Sequence, residues 1–328
     1  MTEFVLTPIG RVLGEERVDV AELFENYGPV RPGLAEKTGF RSVHRMAESV
    51  SLARFAVSAV PESVKDFLQA NCDQLVVVSS SSQDVTPGIG SEIHQLLNLR
   101  ASCSVVNIND ACNGFQTGLQ ISRALLNDHA IKNILLITVD GYSRFFSDAD
   151  LTVSPLFSDG AAAVLLSRSL RNPTISSYLP TTVALKASAT VTAGSLRELL
   201  TIGSVDDLTV GLLPTLRMRG GEVFSFVAGR LPGVLADLRA QIDDTAWGRV
   251  TWFVHQGSRL VVNHVGSALD QPEDSLFRAT NYGNVVSSSI PFQLQDNWDK
   301  VRQSDFIGFV TFGVGMAISA NVWEVRGD

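Results

Sequence analysis

The chain has 328 residues, 45% hydrophobic and 18% charged, which supplies a large core or two fused core units and excludes a small disulfide-stapled scaffold. Cys72, Cys103 and Cys112 form neither a disulfide framework nor a C-x-x-C pair, so the expectation is a reduced, intracellular protein without a metal. A net charge of −8 disfavours nucleic acid and anionic membranes as partners, and neither a membrane-length apolar run nor a secretory leader is evident, so a soluble cytoplasmic protein is expected.

In chain order, LVVVSS at 75–80, SVVNIN at 104–109, NILLITVD at 133–140, AAAVLL at 161–166 and TWFVH at 251–255 are near-continuous apolar runs. They predict strands covered on both faces. Helices are expected at 114–127, where Phe115, Leu119, Ile121, Ser122, Leu125 and Leu126 recur near helical spacing, and at 259–269. This alternation predicts an α/β fold with helices layered on sheets. Residues 171–211 are richer in Ser and Thr and less periodic, which puts a divide between an N-terminal half (1–170) and a C-terminal half (171–328). No linker composition marks the divide, so the halves should share a continuous core. A strand, a polar residue and a helix follow one another at both Cys112 and His255, as a distant duplication could leave.

Three segments carry chemistry. In VVNINDACNGFQTGLQ a buried strand ends at acid-Ala-Cys-Asn-Gly and a helix begins at once. Such a turn lifts the Cys112 side chain out of the sheet, and the helix N-terminus should lower the thiol pKa, suiting it to accept an acyl group from a thioester. A buried structural cysteine is the plainer alternative, and Cys72 and Cys103 are assigned to it. In WFVHQGSRLVVNHV a strand delivers His255 at its carboxyl end, where chemistry gathers in open α/β sheets; a core or capping histidine is the alternative. In NYGNVVSSSIPFQL, Gly283 permits close backbone approach and Asn284 can present an amide to a reacting oxygen, although Gly-Asn is also a turn signal. His44, His94, His129 and His264 have no evident partner.

With these residues in this order, the chain resembles the ketoacyl-ACP synthase III family. EKTGFR at 36–41 is similar to the family's R-T-G-I-R, DACNGF to A-C-x-G-F, LFSDGAAAVLL to F-G-D-G-A-x-A, and MRGGEVFSF to M-x-G-x-E-V-F. HQGS resembles H-Q-A-N, GNVVSSSIP resembles G-N-T-S-x-x-S-x-P, and TFGVGMAIS resembles the closing F-G-x-G element. The resemblance implies a thiolase-like fold of two similar βαβαβαββ halves in an αβαβα core.

It also implies a mechanism. Cys112 takes the acyl group, the backbone N–H groups of Cys112 and Val314 hold the oxyanion, and His255 and Asn284 hold the enolate of a decarboxylating malonyl-type thioester. Gly114, Gly220, Gly283, Gly313 and Gly315 match family positions where a side chain would crowd the pantetheine arm or the nucleophile. Gly220 and Gly257 are implied as pantetheine contacts, and Thr86 as a residue projecting across a homodimer into the partner's acyl pocket. Acyl carrier protein is the implied partner, and pantetheine thioesters serve with no separate cofactor.

Departures matter too. Gly33 and Leu151 stand where acetyl-CoA-using members stack the adenine on Trp and Arg, and Lys37 replaces the Arg of R-T-G. Recognition of the CoA nucleotide should therefore be weak. Ser158 replaces a Gly and Ser258 an Asn, which favours a specialised pathway. The alternatives are an acyltransferase acting on an alcohol or amine, a non-catalytic subunit of a heterodimer, and a cysteine hydrolase, whose elbow glycine is Asp110 here.

Overall fold

The computed structural model of the chain describes residues 3–28, 34–82, 86–168, 177–203 and 215–326. Its strands are β1 (Glu3–Leu13), β2 (Glu16–Asp19), β3 (Ser42–Arg45), β4 (Gln74–Val78), β5 (Ser104–Ile108), β6 (Asn133–Asp140) and β7 (Gly160–Ser167). They continue with β8 (Thr181–Thr192), β9 (Leu200–Ile202), β10 (Leu216–Met218), β11 (Val250–Val254), β12 (Phe306–Gly313) and β13 (Ala317–Arg326). Nine of them make one mixed sheet in the order β11-β12-β13-β8-β1-β7-β6-β4-β5, while β2-β3 and β9-β10 form small ribbons.

The order and sense of the strands repeat. β4 is parallel to β6, which runs antiparallel to β7, and β7 antiparallel to β1. In the same way β11 is parallel to β12, antiparallel to β13, which is antiparallel to β8. The antiparallel pair β1 and β8 joins the two series into one sheet. Only the first series has an outer strand, β5, among the described residues.

The apolar runs are continuous because alternate residues feed different layers. From β4, Leu75 and Val77 pack outward with Phe55, Ala56 and Leu68 of the helices Leu52–Ser58 and Glu62–Asn71. Val76 and Val78 point the other way, onto Phe115 and Leu119 of the helix Gly114–Leu125 and Ile290 and Leu294 of the helix Ser289–Asp296. β11 repeats the pattern: Phe253 enters that middle layer, while Trp252 and Val254 meet Leu231 and Leu235 of the helix Gly220–Arg239 and Val262 of Arg259–Ala268. The result is the αβαβα stack expected from the sequence.

Two expectations change. SVVNIN is expected to be covered on both faces, yet β5 is an edge strand whose residues are all exposed or half-buried: Val105 packs on the outer cluster and Val106 and Ile108 on the middle one, while the outer edge of the strand has no partner strand among the described residues. The Ser/Thr-rich stretch at 171–211 contains β8, a 12-residue strand within the sheet that pairs with β13 from Thr182 to Thr192 and with β1 at residues 181–184. The divide itself, between residues 170 and 171, lies outside the described residues.

The repeat also pairs different residues than the sequence indicated. Ala111 (φ +37°) opens a 3-10 turn, Ala111–Asn113, that leads into Gly114–Leu125; Val286 (φ +50°) opens Val286–Ser288, leading into Ser289–Asp296. The counterpart of Cys112 is therefore Ser287. His255, just after β11, corresponds to Ser79, just after β4. No helix among the described residues is long and apolar enough to cross a membrane.

Candidate active site

Cys112, Asp140, His255 and Gly313 lie at or just after the carboxyl ends of β5, β6, β11 and β12. β5 and β11 stand at opposite ends of the sheet order, and packing across the middle layer, Phe115 on Phe309 and Gln116 on Thr311, brings Cys112 against the end of β12. Cys112 sits in the turn after β5. Ala111 before it is held at positive φ, a region that costs an L-residue energy and is tolerated where the surroundings fix it. Gly313 covers the sulfur: a Cβ at that position would stand 2.6 Å from Cys112 Cβ and 3.2 Å from Sγ, closer than real contacts allow.

His255 follows β11, its backbone N–H donating to Val310 at 2.8 Å. Its ring meets Phe312 edge-on, with centroids 5.1 Å apart. Phe312 and Gly313 are consecutive, so the end of β12 carries the contact to the imidazole and the cover of the sulfur side by side. Gln256, fully buried, fixes the loop: its amide donates to Val254 and Leu276 and accepts from the backbone N–H of Arg278.

Asn284 is aligned by both of its backbone groups. Its N–H donates to Leu156, its carbonyl accepts from Ser158, and its Oδ1 accepts from the Val286 N–H at 2.9 Å. With Oδ1 engaged, the NH2 end is the one that can donate to a reacting oxygen. Val286 packs with Cys112, Tyr142, Phe145, Phe157, Leu200 and Leu216, and Val314 borders the same apolar cluster. The structure thus brings Cys112 together with the His255, Asn284 and Val314 segments.

The electrostatics overturn one expectation. The helix N-terminus was to lower the Cys112 pKa; instead burial, then the Asp140 and Asp110 carboxylates, push the thiol well up. Burial pushes His255 down to about 3. The site therefore holds a neutral thiol and a neutral imidazole, and His255 Nδ1 is buried without a hydrogen-bond partner among the described residues. A neutral imidazole can donate one hydrogen bond to a developing oxyanion.

Asp140 was missed. It ends the run NILLITVD, a lone carboxylate at the end of a buried strand, and that is the signal by which it could have been found. Fully buried, it accepts from the N–H and hydroxyl of both Ser80 and Ser287, tying the turns after β4 and before Ser289–Asp296 to β6.

The other predicted residues lie further out. Thr86 is exposed, in a loop that packs on the edge strand through Gly90, whose N–H donates to Asn107 Oδ1 at 2.8 Å. Gly220 opens the helix Gly220–Arg239 at the surface, with only Met218 within 4 Å of a Cβ there. Gly257 packs on Phe312 and His255, at 3.1 and 3.7 Å from a Cβ. Gly33 is outside the described residues, Lys37 is exposed, and Leu151 packs into the apolar cluster of Leu23, Phe24 and Phe40. Ser158 has a structural reason, since its hydroxyl accepts from the His44 N–H at 2.8 Å, and Ser258 caps the helix Arg259–Ala268.

Two family models match the chain: 3-Oxoacyl-[acyl-carrier-protein (ACP)] synthase III over residues 106–183, and its C-terminal region over residues 243–325. Between them they span the Cys112, His255 and Asn284 segments. The chain belongs with the ketoacyl-ACP synthase III condensing enzymes. Among them, the β-ketoacyl-[acyl-carrier-protein] synthase III of Porphyra purpurea is 25% identical, over 89% of this chain and 90% of its own. The protein of that name from Neisseria gonorrhoeae (strain NCCP11945) is 27% identical over 87% of each. The solved 3-oxoacyl-[acyl-carrier-protein] synthase III of Aquifex aeolicus VF5 shares the fold, with a TM-score of 0.82 at 20% identity, covering 98% of this chain and 99% of that one.

Proposed function

We propose that this chain performs a decarboxylative Claisen condensation. Cys112 takes an acyl group from a thioester; the bond formed is Sγ to the acyl carbon, and the donor thiol leaves with the proton. A malonyl-type thioester on acyl carrier protein then loses CO₂, His255 and Asn284 donate to the resulting enolate oxygen, and its carbon attacks the acyl-Cys112 carbonyl. The backbone N–H groups of Cys112 and Val314 hold the tetrahedral oxyanion. It collapses to the β-ketoacyl thioester as the Sγ–carbon bond breaks, and the released Cys112 thiolate takes a proton from water. Substrates arrive as pantetheine thioesters along Gly220 and Gly257, with no metal or further cofactor.

The observation that carries this reading is Gly313 laid over the Cys112 sulfur, with Phe312 beside it against the His255 ring. The neutral imidazole supports it further, because only the N–H form can hydrogen-bond an enolate without first protonating it. Leu151, packed inward, leaves no adenine-stacking arginine at that position, which favours a donor on a carrier protein and a specialised pathway. The partly exposed apolar edge of β5 supports a homodimer, with Thr86 of each chain reaching toward its partner, and the three free cysteines fit the cytoplasm.

The test is intact-mass spectrometry of the protein with acyl-ACP and acyl-CoA donors, followed by malonyl-ACP. Expected are a Cys112 adduct that Cys112→Ala lacks, then a carbon-lengthened product with CO₂ release. An ester or amide product would instead identify plain acyl transfer, and an adduct surviving Cys112→Ala would remove the reading.

A further inference from the structure

Cys72 and Cys103, 31 residues apart in the chain, meet at the far end of the sheet from the nucleophile. Cys72 closes the helix Glu62–Asn71 just before β4, and Cys103 stands just before β5, whose other end leads to Cys112. β4 and β5 run parallel with Gln74 beside Ser104, so the two cysteines occupy neighbouring amino ends. Their sulfurs lie 3.7 Å apart and are hydrogen-bonded, and both thiols are free. Both side chains pack in the outer layer with Phe67, Leu68, Leu97 and Leu99, in a different cluster from the one that holds Cys112.

The two thiols are unequal. Cys72 is fully buried, whereas Cys103 keeps 5% of its surface and lies between the exposed residues Ser102 and Ser104. The hydrogen bond with Cys72 holds the Cys103 thiol below its ordinary value against the opposing effect of burial, and the Arg100 guanidinium adds to it. That guanidinium is fixed by the Cys72 carbonyl and the Asp73 carboxylate. The same hydrogen bond, and then burial, push Cys72 up. A shallow thiol with thiolate character beside a second thiol is the arrangement of a reactive cysteine and its resolving partner.

We propose that Cys72 and Cys103 form a modification site, a dithiol that hydrogen peroxide closes to a disulfide within the native fold, stapling β5 to β4. The Cys103 thiolate attacks one peroxide oxygen, the O–O bond breaks, and the departing hydroxide takes a proton to become water, leaving a sulfenic acid. The Cys72 sulfur then attacks the sulfenic sulfur, the S–O bond breaks, and the hydroxyl leaves as water with the Cys72 proton. Two thiols are oxidised to one disulfide, and one peroxide is reduced to two waters. The sulfurs have to close from 3.7 Å to about 2.05 Å, a movement of side-chain scale. Cys112, whose thiol burial pushes well up, is spared because the thiolate is the reactive form.

The experiment treats the reduced wild-type protein with hydrogen peroxide, blocks the remaining thiols with N-ethylmaleimide on unfolding, and maps the peptides without reduction. Expected is a Cys72–Cys103 link that dithiothreitol reverses, with Cys103 consumed at least about tenfold faster than Cys112. Cys72→Ser should stop at a Cys103 sulfenic acid that dimedone traps, and Cys103→Ser should leave Cys72 unmodified over the same interval. The thermal midpoint of the oxidised wild type should rise by about 4 °C or more, because closing a loop of this length restricts the unfolded chain. If either variant fails to fold, the wild-type map decides: maleimide on both Cys72 and Cys103, a link to Cys112, a link only between two chains, or oxidation of Cys112 first overturns the inference. A midpoint that does not rise overturns the stapling of β5.

Discussion

Ser287 is held to Asp140 twice, its backbone N–H donating at 3.2 Å and its hydroxyl at 2.5 Å to the same carboxylate oxygen. The other oxygen takes the N–H and hydroxyl of Ser80 at 2.8 and 2.9 Å. One buried carboxylate thus fixes the turn that follows Asn284 and the turn that follows β4, the counterpart of the His255 position.

Asp140→Ala takes the acceptor from the buried N–H and hydroxyl of Ser287 and from the half-buried N–H and hydroxyl of Ser80, of which the Ser80 hydroxyl alone keeps another partner, Tyr142. Each such group costs about 1–3 kcal/mol, so the variant should lose about 3 kcal/mol or more of stability, with Asp140→Asn intermediate. Denaturant midpoints measure this, and an Asp140→Ala midpoint equal to wild type would show that water replaces the carboxylate.

Gly313→Ala puts a methyl group into the Cys112 side chain. Either the loop bearing Val314 retreats or the sulfur moves, at a cost of about 1–3 kcal/mol from overpacking. Displacement of a nucleophile by even an ångström costs on the order of 10²-fold in rate. Acylation of Cys112, followed by mass against time, should slow by about that factor while thermal unfolding stays cooperative. Wild-type acylation in Gly313→Ala would mean that the covering loop is free to yield.

The pH dependence follows from His255. Its folded value of about 3 lies below the ordinary 6.5, so between the two the unfolded chain binds more protons. The stabilisation is complete above pH 6.5 and is lost as pH falls toward 3, at up to about 1.4 kcal/mol per unit. Asp110, Asp140 and Asp159 are raised by burial and work with the opposite sign, their contribution falling as pH rises through the folded values. Subtracting the stability of His255→Gln from that of wild type isolates the imidazole. That difference should shrink by about 1 kcal/mol between about pH 6.5 and 5.5, and a flat difference would place a charged imidazole in the site.

Much of this was legible because the informative residues cluster in short segments. Cys112, His255 and Asn284 each stand at a strand end or a Gly turn, and the buried strands announced themselves as unbroken apolar runs. β8 was not legible, since its mixture of Ser, Thr and Ala with scattered Val and Leu forms neither an unbroken apolar run nor a clear apolar-polar alternation. Nor was the pairing of Cys112 with Ser287. It is written in two positive-φ residues, Ala111 and Val286, neither of which is the glycine that usually marks such a turn. The thiol pKa was misjudged because a helix N-terminus is visible in sequence, whereas burial and the proximity of Asp140 arise only on folding.

Asn284 separates the two half-reactions. Its Oδ1 is bound to the Val286 N–H and its NH2 is the end free to donate, so the amide should serve the enolate rather than the acylation step, whose oxyanion is held by the N–H groups of Cys112 and Val314. Asn284→Ala should therefore load an acyl group on Cys112 at close to the wild-type rate. Turnover with malonyl-ACP should fall on the order of 10²–10³-fold, the usual cost of one lost oxyanion donor. Single-turnover loading by mass, set beside CO₂ release from labelled malonyl-ACP, reads the two steps apart. Equal losses in both would mean that Asn284 shapes the turn around Val286 and does not meet the enolate.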